Sequence, residues 1–199
     1  MFKSPVAALA SMAGPLFQML AKKSGSPDRA SRAVRAVAEG LGMLGADPTD
    51  ERLAALALCQ RGAVPEEVSK HLGWKDFEAF CSSVLRAGGY LVRENIYLRR
   101  PRAQIDVLGV SGQVALAVDC KHWSASPGYG TFARLVEAQQ ARAKRLHEGL
   151  DRVPPVASVI LTLLDSGVRF VDGGAVVPIS TFRNFLENVE AHRGSLEWV

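Results

Sequence analysis

The sequence predicts an α/β fold: a mixed central sheet flanked by helices, with a helical module before it. The apolar run at 156–164 is typical of a strand covered on both faces. From Trp74 onward, amphipathic and alternating segments follow in the order α-β-β-β-α-β, and short strands and a helix come after them. At 199 residues and 48% apolar composition, the chain is long enough for one good core plus an appended module.

Two segments precede this predicted domain. Residues 1–24 form an apolar arm that a proline and a Gly-Pro pair interrupt, so we expect it to pack on protein. A membrane-spanning helix needs about 20 consecutive apolar residues. Residues 25–73 are a helical module, with helices predicted at 30–44 and 50–60. Its stretch "RGAVPEEVSKHLGW" fits either a helix-turn-helix, with Pro65 at a helix start, or a helical hairpin, and both interpretations remain open.

Residues 74–199 contain the predicted sheet and its covering helices. An amphipathic helix begins at Trp74 and is closed by Gly88-Gly89. Its apolar stripe is predicted to comprise Trp74, Phe77, Cys81, Val84 and Leu85. The later elements are predicted, in order, as strands at 90–98, 104–110 and 113–119, a helix at 132–150, strands at 156–164, 168–171 and 175–179, and a helix at 181–192.

Charge and cysteine usage give weaker indications. The net charge of +4 and the isoelectric point of about 9.1 mildly favour a polyanionic partner. Cys59, Cys81 and Cys120 stand far apart without a zinc-binding spacing, so we expect three buried, free thiols in a reducing compartment. A cytoplasmic location and no membrane partner are therefore the working expectations.

The stretch "LAVDCKHW" (116–123) carries the most informative pattern, because an apolar strand ends in an acid and a lysine. If the preceding hairpin turns at Ser111-Gly112, Val110 opposes Gln113 and the two flanking strands come into register. Side chains alternate between the faces of a strand, so three polar groups then project from one face. These are Asp106, Asp119 and Lys121, with the two acids as diagonal neighbours.

Two adjacent carboxylates repel each other unless a positive charge lies between them. Lys121 and a divalent cation are the two candidates for that charge. An oxygen-only ligand set suits a hard ion such as Mg²⁺, with Mn²⁺ as a substitute. Such an ion polarises a phosphate, and a nearby lysine can position the attacking water. The pattern favours metal-assisted hydrolysis of a phosphodiester.

Two further polar residues fall where they can reach this predicted site. Glu78 lies about 100° around its helix from Phe77, at the margin of the buried stripe. Gln139 sits at the centre of the apolar stripe of the long helix, where a buried amide needs hydrogen-bond partners. A core glutamine satisfied by backbone groups is the alternative for Gln139, and a solvated acid is the alternative for Glu78.

With these residues identified, the chain resembles the PD-(D/E)xK nuclease superfamily, most closely the archaeal branch of Mrr-type restriction endonucleases and Holliday-junction resolvases. The resemblance extends over about residues 74–179 and rests on four motifs in their order and spacing. They are "FEAFCSSVLRAGGY" (77–90), "RAQIDVLGV" (102–110), "VDCKHW" (118–123) and "QQARA" (139–143). It implies a restriction-endonuclease-like αβββαβ core.

The resemblance also implies a role for each site residue. Asp106 and Asp119 resemble the metal-binding acids, although Asp119 stands where Glu is commoner, and Lys121 resembles the catalytic lysine. Glu78 resembles the helix glutamate that binds the metal, and Gln139 the glutamine of the QxxxA helix. The implied function is a Mg²⁺-dependent DNA endonuclease. The alternatives are a structure-selective resolvase, a non-catalytic DNA-binding protein that keeps the fold, and a helix-turn-helix regulator.

The expected partners are DNA and a second copy of the chain in a homodimer. Arg99, Arg100 and Arg102 flank the predicted site, and His122 follows the catalytic strand, so these four residues are the predicted DNA contacts. Other basic residues lie on the polar side of the long helix, where charged side chains are usually solvated. These are Arg134, Arg142, Lys144 and Arg145.

Overall fold

The structure is a computed structural model, and it describes residues 59, 64–70, 72–112, 114–150 and 154–199. The chain divides into two compact units, residues 1–80 and 81–199. The predicted arm, the predicted helix at 30–44 and nearly all of the predicted helix at 50–60 lie outside the described residues. Among the helices in the described ranges, none is both long and apolar enough to cross a membrane.

The described part of the first unit contains a short helix and the start of a longer one. Helix α1 (Pro65–Ser69) begins at Pro65 with two glutamates in its first turn, as predicted. Helix α2 (Trp74–Ala87) follows, and its Phe77 and Phe80 are fully buried. Trp74 is 60% exposed, so its prediction as part of the buried stripe was wrong. It is the first residue of the helix, and the Lys75 ammonium lies 5.4 Å from its ring.

The second unit contains a mixed six-stranded sheet in the order β1-β2-β3-β4-β6-β5. The first three strands pair antiparallel, whereas the β3–β4 and β4–β6 pairs are parallel. Every residue of β4 is buried, as the continuous apolar run predicted. The strands are β1 (Leu91–Leu98), β2 (Ala103–Ser111), β3 (Val114–Lys121), β4 (Val156–Thr162), β5 (Phe170–Val171) and β6 (Gly174–Pro178).

Helices cover the sheet. Helix α3 (Tyr129–Glu148) packs on the face that carries alternate β3 residues, where its Ala143 joins a buried cluster with Ala115 and Ala117. On the opposite face, the neighbouring Cys81 thiol in the C-terminal half of α2, together with burial, raises the pKa of Cys120 in β3 well above its ordinary value. The chain closes with helix α4 (Ile179–Glu187) and a 3-10 helix (Val189–Ser195). The class of fold is therefore α/β, as predicted.

The hairpin between β2 and β3 differs from its predicted register by two residues. Ser111 opposes Val114, and Val107 opposes Val118, so the predicted pairing of Val110 with Gln113 was wrong. The strands extend further because Gly112 adopts a φ of 53°, which suits the first position of a tight turn. Because the shift is an even number of residues, every side chain keeps its predicted face.

Several predicted boundaries also moved. The long helix begins at Tyr129, three residues earlier than predicted, and the last α-helix ends at Glu187 before the 3-10 helix. All three thiols are free, as expected, but only Cys81 and Cys120 are buried. Cys59 is half-buried, and this burial raises the pKa of its thiol to about 11.

A close contact between β6 and α3 fixes how near the helix lies to the sheet. A Cβ added at Gly174 would overlap the Cγ1 atom of Val136 and come within 2.9 Å of its Cγ2 atom. We predict that Gly174→Ala lowers the free energy of unfolding by about 1–3 kcal/mol, because overpacking displaces a stiff β-branched side chain. Urea denaturation of the purified variant measures this.

The matched control is Gly130→Ala, since an added Cβ there meets nothing within 4 Å. It should leave stability within about 0.5 kcal/mol or raise it slightly, as alanine favours helix. In the Gly174→Ala background, Val136→Ala should cost less stability than it does alone, because the two side chains then no longer overlap. Additive effects would contradict this account of the packing.

Candidate metal and phosphodiester site

The candidate site lies where the ladder between β2 and β3 ends. The last paired residues are Val107 and Val118. Beyond them, the Asp106 side chain accepts a hydrogen bond from the backbone of β3. Asp106 Oδ2 accepts a hydrogen bond of 2.9 Å from the Cys120 backbone N–H. This bond holds the Asp106 carboxylate beside Asp119, the residue before Cys120.

Asp119 is the most enclosed acid of the site. It is 4% exposed and lies on the α3 face of the sheet, beside Ile160 of β4. Lys121 Nζ lies 2.6 Å from Asp119 Oδ2, although the geometry is that of an ion pair without a hydrogen bond. Arg142 Nη1 lies 3.4 Å from the other oxygen, Oδ1. Two cations therefore flank one buried carboxylate.

Gln139 projects from α3 toward the same group of charges. It is fully buried, as its position at the centre of the apolar stripe predicted. Its Oε1 atom accepts a hydrogen bond of 2.8 Å from Arg142 Nη1. Its Nε2 atom is buried without a hydrogen-bond partner, which typically costs about 1–3 kcal/mol. Buried polar groups are usually hydrogen-bonded, so this amide has a donor available for one further partner.

The electrostatics of Asp106 reflect the crowding of charges. Burial raises the pKa of Asp106 above its ordinary value, and the neighbouring Asp119 charge raises it further. The Cys120 N–H bond, Lys121 and Arg142 each act in the opposite direction. The net effect is a raised pKa, which means that keeping Asp106 ionised next to Asp119 costs free energy in the folded protein.

The structure brings together four of the five predicted catalytic residues. Asp119 and Lys121 are in direct contact, and the Cys120 N–H bond holds Asp106 beside them. Gln139 joins them through Arg142. Glu78 is half-buried on α2 within the other unit, and its role as a ligand stays a prediction. Arg142 was predicted to lie on a solvated face, but it contacts both Gln139 and Asp119. The sequence does contain a signal for this contact: Arg142 lies three residues after Gln139, and side chains three residues apart are neighbours on a helix.

The residues present fit a hard divalent cation. Within the described ranges, no group of three or more His, Cys, Asp or Glu side chains converges as a metal site. The protein thus offers two carboxylates, and the buried Oδ2 atom of Asp119 is in ion-pair contact with Lys121. Magnesium is commonly bound through one or two carboxylates plus water and substrate phosphate, so this donor set is sufficient.

The surroundings of the site are basic. Arg99, Arg100 and Arg102 are all exposed in the turn between β1 and β2. The carbonyl of Pro101 in this turn accepts a hydrogen bond of 2.5 Å from Arg145 Nη2, which connects the turn to α3. His122 is half-buried directly after Lys121.

A shallow, solvent-open pocket lies next to the lysine. Lys121, Trp123, Thr162 and Phe132 are among the residues that line it. Trp123 is half-buried and packs against the cluster that contains Phe132, which agrees with a packing role for this indole.

Comparison with known proteins gives little guidance. No protein-family model matches the chain. An uncharacterized protein of Archaeoglobus fulgidus is similar, with 26% identity over 121 residues that cover 58% of this chain and 91% of that protein.

The raised pKa of Asp106 leads to a stability prediction. Above this pKa the folded protein holds an unfavourable charge, and protonation relieves the cost as the pH falls through it. We predict that Asp106→Asn stabilises the fold at neutral pH, since the amide oxygen still accepts the Cys120 N–H bond. The advantage over wild type should shrink as the pH falls through the raised pKa toward the ordinary aspartate range. Urea denaturation across this range measures it.

Glu187→Gln is the matched control, because it removes one carboxylate from an exposed pair with Arg183 on α4. Such pairs contribute about 0–1 kcal/mol, so little change is expected at any pH. An Asp106→Asn variant that is less stable than wild type at neutral pH would contradict the proposed electrostatics.

Proposed function

We propose that this protein is a Mg²⁺-dependent DNA endonuclease of the PD-(D/E)xK type. One observation carries the proposal. Two acids from adjacent strands meet at the end of a ladder, and a lysine ammonium lies 2.6 Å from one of them. This combination of paired carboxylates with an adjoining amine is what metal-assisted hydrolysis of a phosphodiester requires.

The arrangement of the elements supports the proposal. The order α2-β1-β2-β3-α3-β4, with β3 and β4 parallel, corresponds to the αβββαβ core expected of a restriction-endonuclease-like fold. The two acids lie on β2 and β3, and Gln139 lies on the helix that follows, which matches the order of the motifs. We propose this core as the fold of the nuclease.

Each residue has a proposed role. Asp106 and Asp119 would hold the ion. Bound magnesium supplies Lewis-acid polarisation of the scissile phosphate. Lys121 orients the attacking water and stabilises negative charge at phosphorus, because its ammonium is held at the site by Asp119. Gln139 orients Arg142 through the hydrogen bond to its guanidinium.

The proposed substrate is DNA. The exposed arginines of the β1–β2 turn lie in the same loop that Arg145 connects to α3, so they present positive charge near the site. Such charges bind phosphates without reading base sequence. We also propose a homodimer, since two sites related by a two-fold axis can cut both strands of a duplex. A resolvase would use the same symmetry on a four-way junction.

The decisive experiment is a cleavage panel. Linear duplex, single strand, flap and four-way junction are each incubated with Mg²⁺, Mn²⁺ or EDTA, and the products are resolved on denaturing gels. We predict metal-dependent cleavage of at least one form and a rate loss of roughly 10²–10⁴-fold for Lys121→Ala, because water is no longer oriented. DNA binding by Lys121→Ala should stay within a few fold of wild type.

Lys144→Ala is the matched control, as it removes an exposed lysine from the polar side of α3. It should keep cleavage within a few fold of wild type. Full activity of Lys121→Ala would refute the assigned role. Metal-independent binding with no cleavage of any form would instead favour the non-catalytic DNA-binding protein.

The arginine turn gives a separate prediction about binding. Replacing Arg99, Arg100 and Arg102 together by glutamine should weaken DNA binding and flatten its dependence on salt. The slope of log affinity against log salt should fall by about one for each arginine that contacts a phosphate. Fluorescence anisotropy at several salt concentrations measures both quantities.

Arg183→Gln, an exposed arginine on α4, is the control for this prediction, and it should leave the slope unchanged. A triple variant with the wild-type salt slope would remove this turn from the DNA interface.

A further inference from the structure

Arg142 is a second cation at the candidate site. It lies within the QQARA stretch, but the family resemblance assigns a role only to Gln139 there. Its Nη1 atom lies 3.4 Å from Asp119 Oδ1 and 2.8 Å from Gln139 Oε1. Its side chain is about a quarter exposed, at 27%, similar to the 22% of Lys121. The guanidinium therefore bridges the buried acid and the buried amide from the solvent side.

The charges of the site balance without any added ion. Asp106 and Asp119 contribute two negative charges, and Lys121 and Arg142 contribute two positive ones. A divalent cation that binds Asp119 thus enters a site whose acids are already neutralised. It must overcome repulsion from both resident cations, or one of them must withdraw.

The two cations differ in how they are held. Lys121 Nζ lies 2.6 Å from Asp119, on the same strand two residues away. Arg142 makes its shorter contact with Gln139 and the longer one with Asp119. Because of this, Arg142 can leave the carboxylate and keep its hydrogen bond to Gln139. It is the cation whose withdrawal costs less.

We propose that Arg142 is a positioning residue that competes with the divalent cation for Asp119 and so sets the ion concentration at which the site fills. The inference deepens the proposed function and rests on its metal-binding part. Gln139 has a defined place in this arrangement, since it holds the guanidinium close to the acid while the ion is absent.

Direct binding of Mn²⁺, measured by the loss of the free-ion signal in electron paramagnetic resonance, tests the proposal without relying on catalysis. Arg142→Gln should bind Mn²⁺ about tenfold more tightly than wild type, because one competing charge has been removed. Arg142→Lys keeps a positive charge and should bind within about threefold of wild type. In cleavage assays, the Mg²⁺ concentration for half-maximal rate should fall for Arg142→Gln.

The matched control is Arg134→Gln, an exposed arginine of the same helix that donates to the Gly130 carbonyl. It should change Mn²⁺ affinity less than twofold. Folded Arg142→Gln protein that binds Mn²⁺ no more tightly than wild type would overturn the proposal. Equal tightening in Arg142→Lys and Arg142→Gln would overturn it too, because the charge would then not be the cause.

A measurement on the wild-type protein covers the case in which Arg142→Gln does not fold. Nitrogen-15 NMR reports the rate at which the Arg142 guanidinium rotates about its Nε–Cζ bond. Mg²⁺ should speed this rotation, since the contact with Asp119 is lost, while Arg134 remains unchanged. An unchanged rate for Arg142 at saturating Mg²⁺ would refute the withdrawal.

The outcomes separate this inference from the proposed function. Wild-type protein that binds Mn²⁺ and cleaves no DNA would refute the nuclease, and tighter Mn²⁺ binding by Arg142→Gln would still support the competition. Cleavage with unaltered ion affinity in Arg142→Gln would support the nuclease and refute the competition. Absence of Mn²⁺ binding in both wild type and Arg142→Gln would overturn both.

Discussion

The hydrogen bond from the Cys120 amide to the Asp106 carboxylate is the contact on which the candidate site depends. At this point the β2–β3 ladder stops, and a side chain replaces the backbone carbonyl that would otherwise accept the bond. The replacement places one acid beside another at the point where β2 and β3 stop pairing. The remaining polar contacts follow from it, because two crowded carboxylates require cations, and the two cations require partners of their own.

The sequence predicted most of this arrangement because two regular periods govern it. Alternation along the strands placed Asp106, Asp119 and Lys121 on one face, and helical periodicity placed Gln139 on the buried side of α3. The register error of two residues did not change which side chains share a face, because a shift by an even number of residues keeps every side chain on the same face of the sheet. An odd slip would have separated the acids, and nothing in the local pattern except Gly112 fixes the turn.

Other features were beyond the sequence because they depend on distances across the fold. Trp74 matched the helical period but lies at the first residue of its helix, where periodicity does not measure burial. Arg142 matched the polar side of α3, yet its long side chain reaches back to Gln139 and Asp119. A long arginine side chain can extend into solvent or reach a buried acid, and the position of the facing strand determines which of the two it does.

The hydrogen bond between Arg145 and the Pro101 carbonyl has a mechanical consequence. Helix α3 carries Gln139, Arg142 and Arg145 within two turns, so the amide, the guanidinium and the anchor of the basic turn all belong to one rigid rod. A small shift or rotation of α3 would therefore displace the β1–β2 turn and the Arg142 guanidinium together. If the basic turn binds DNA as proposed, such a movement would couple substrate binding to the arrangement of the carboxylate site.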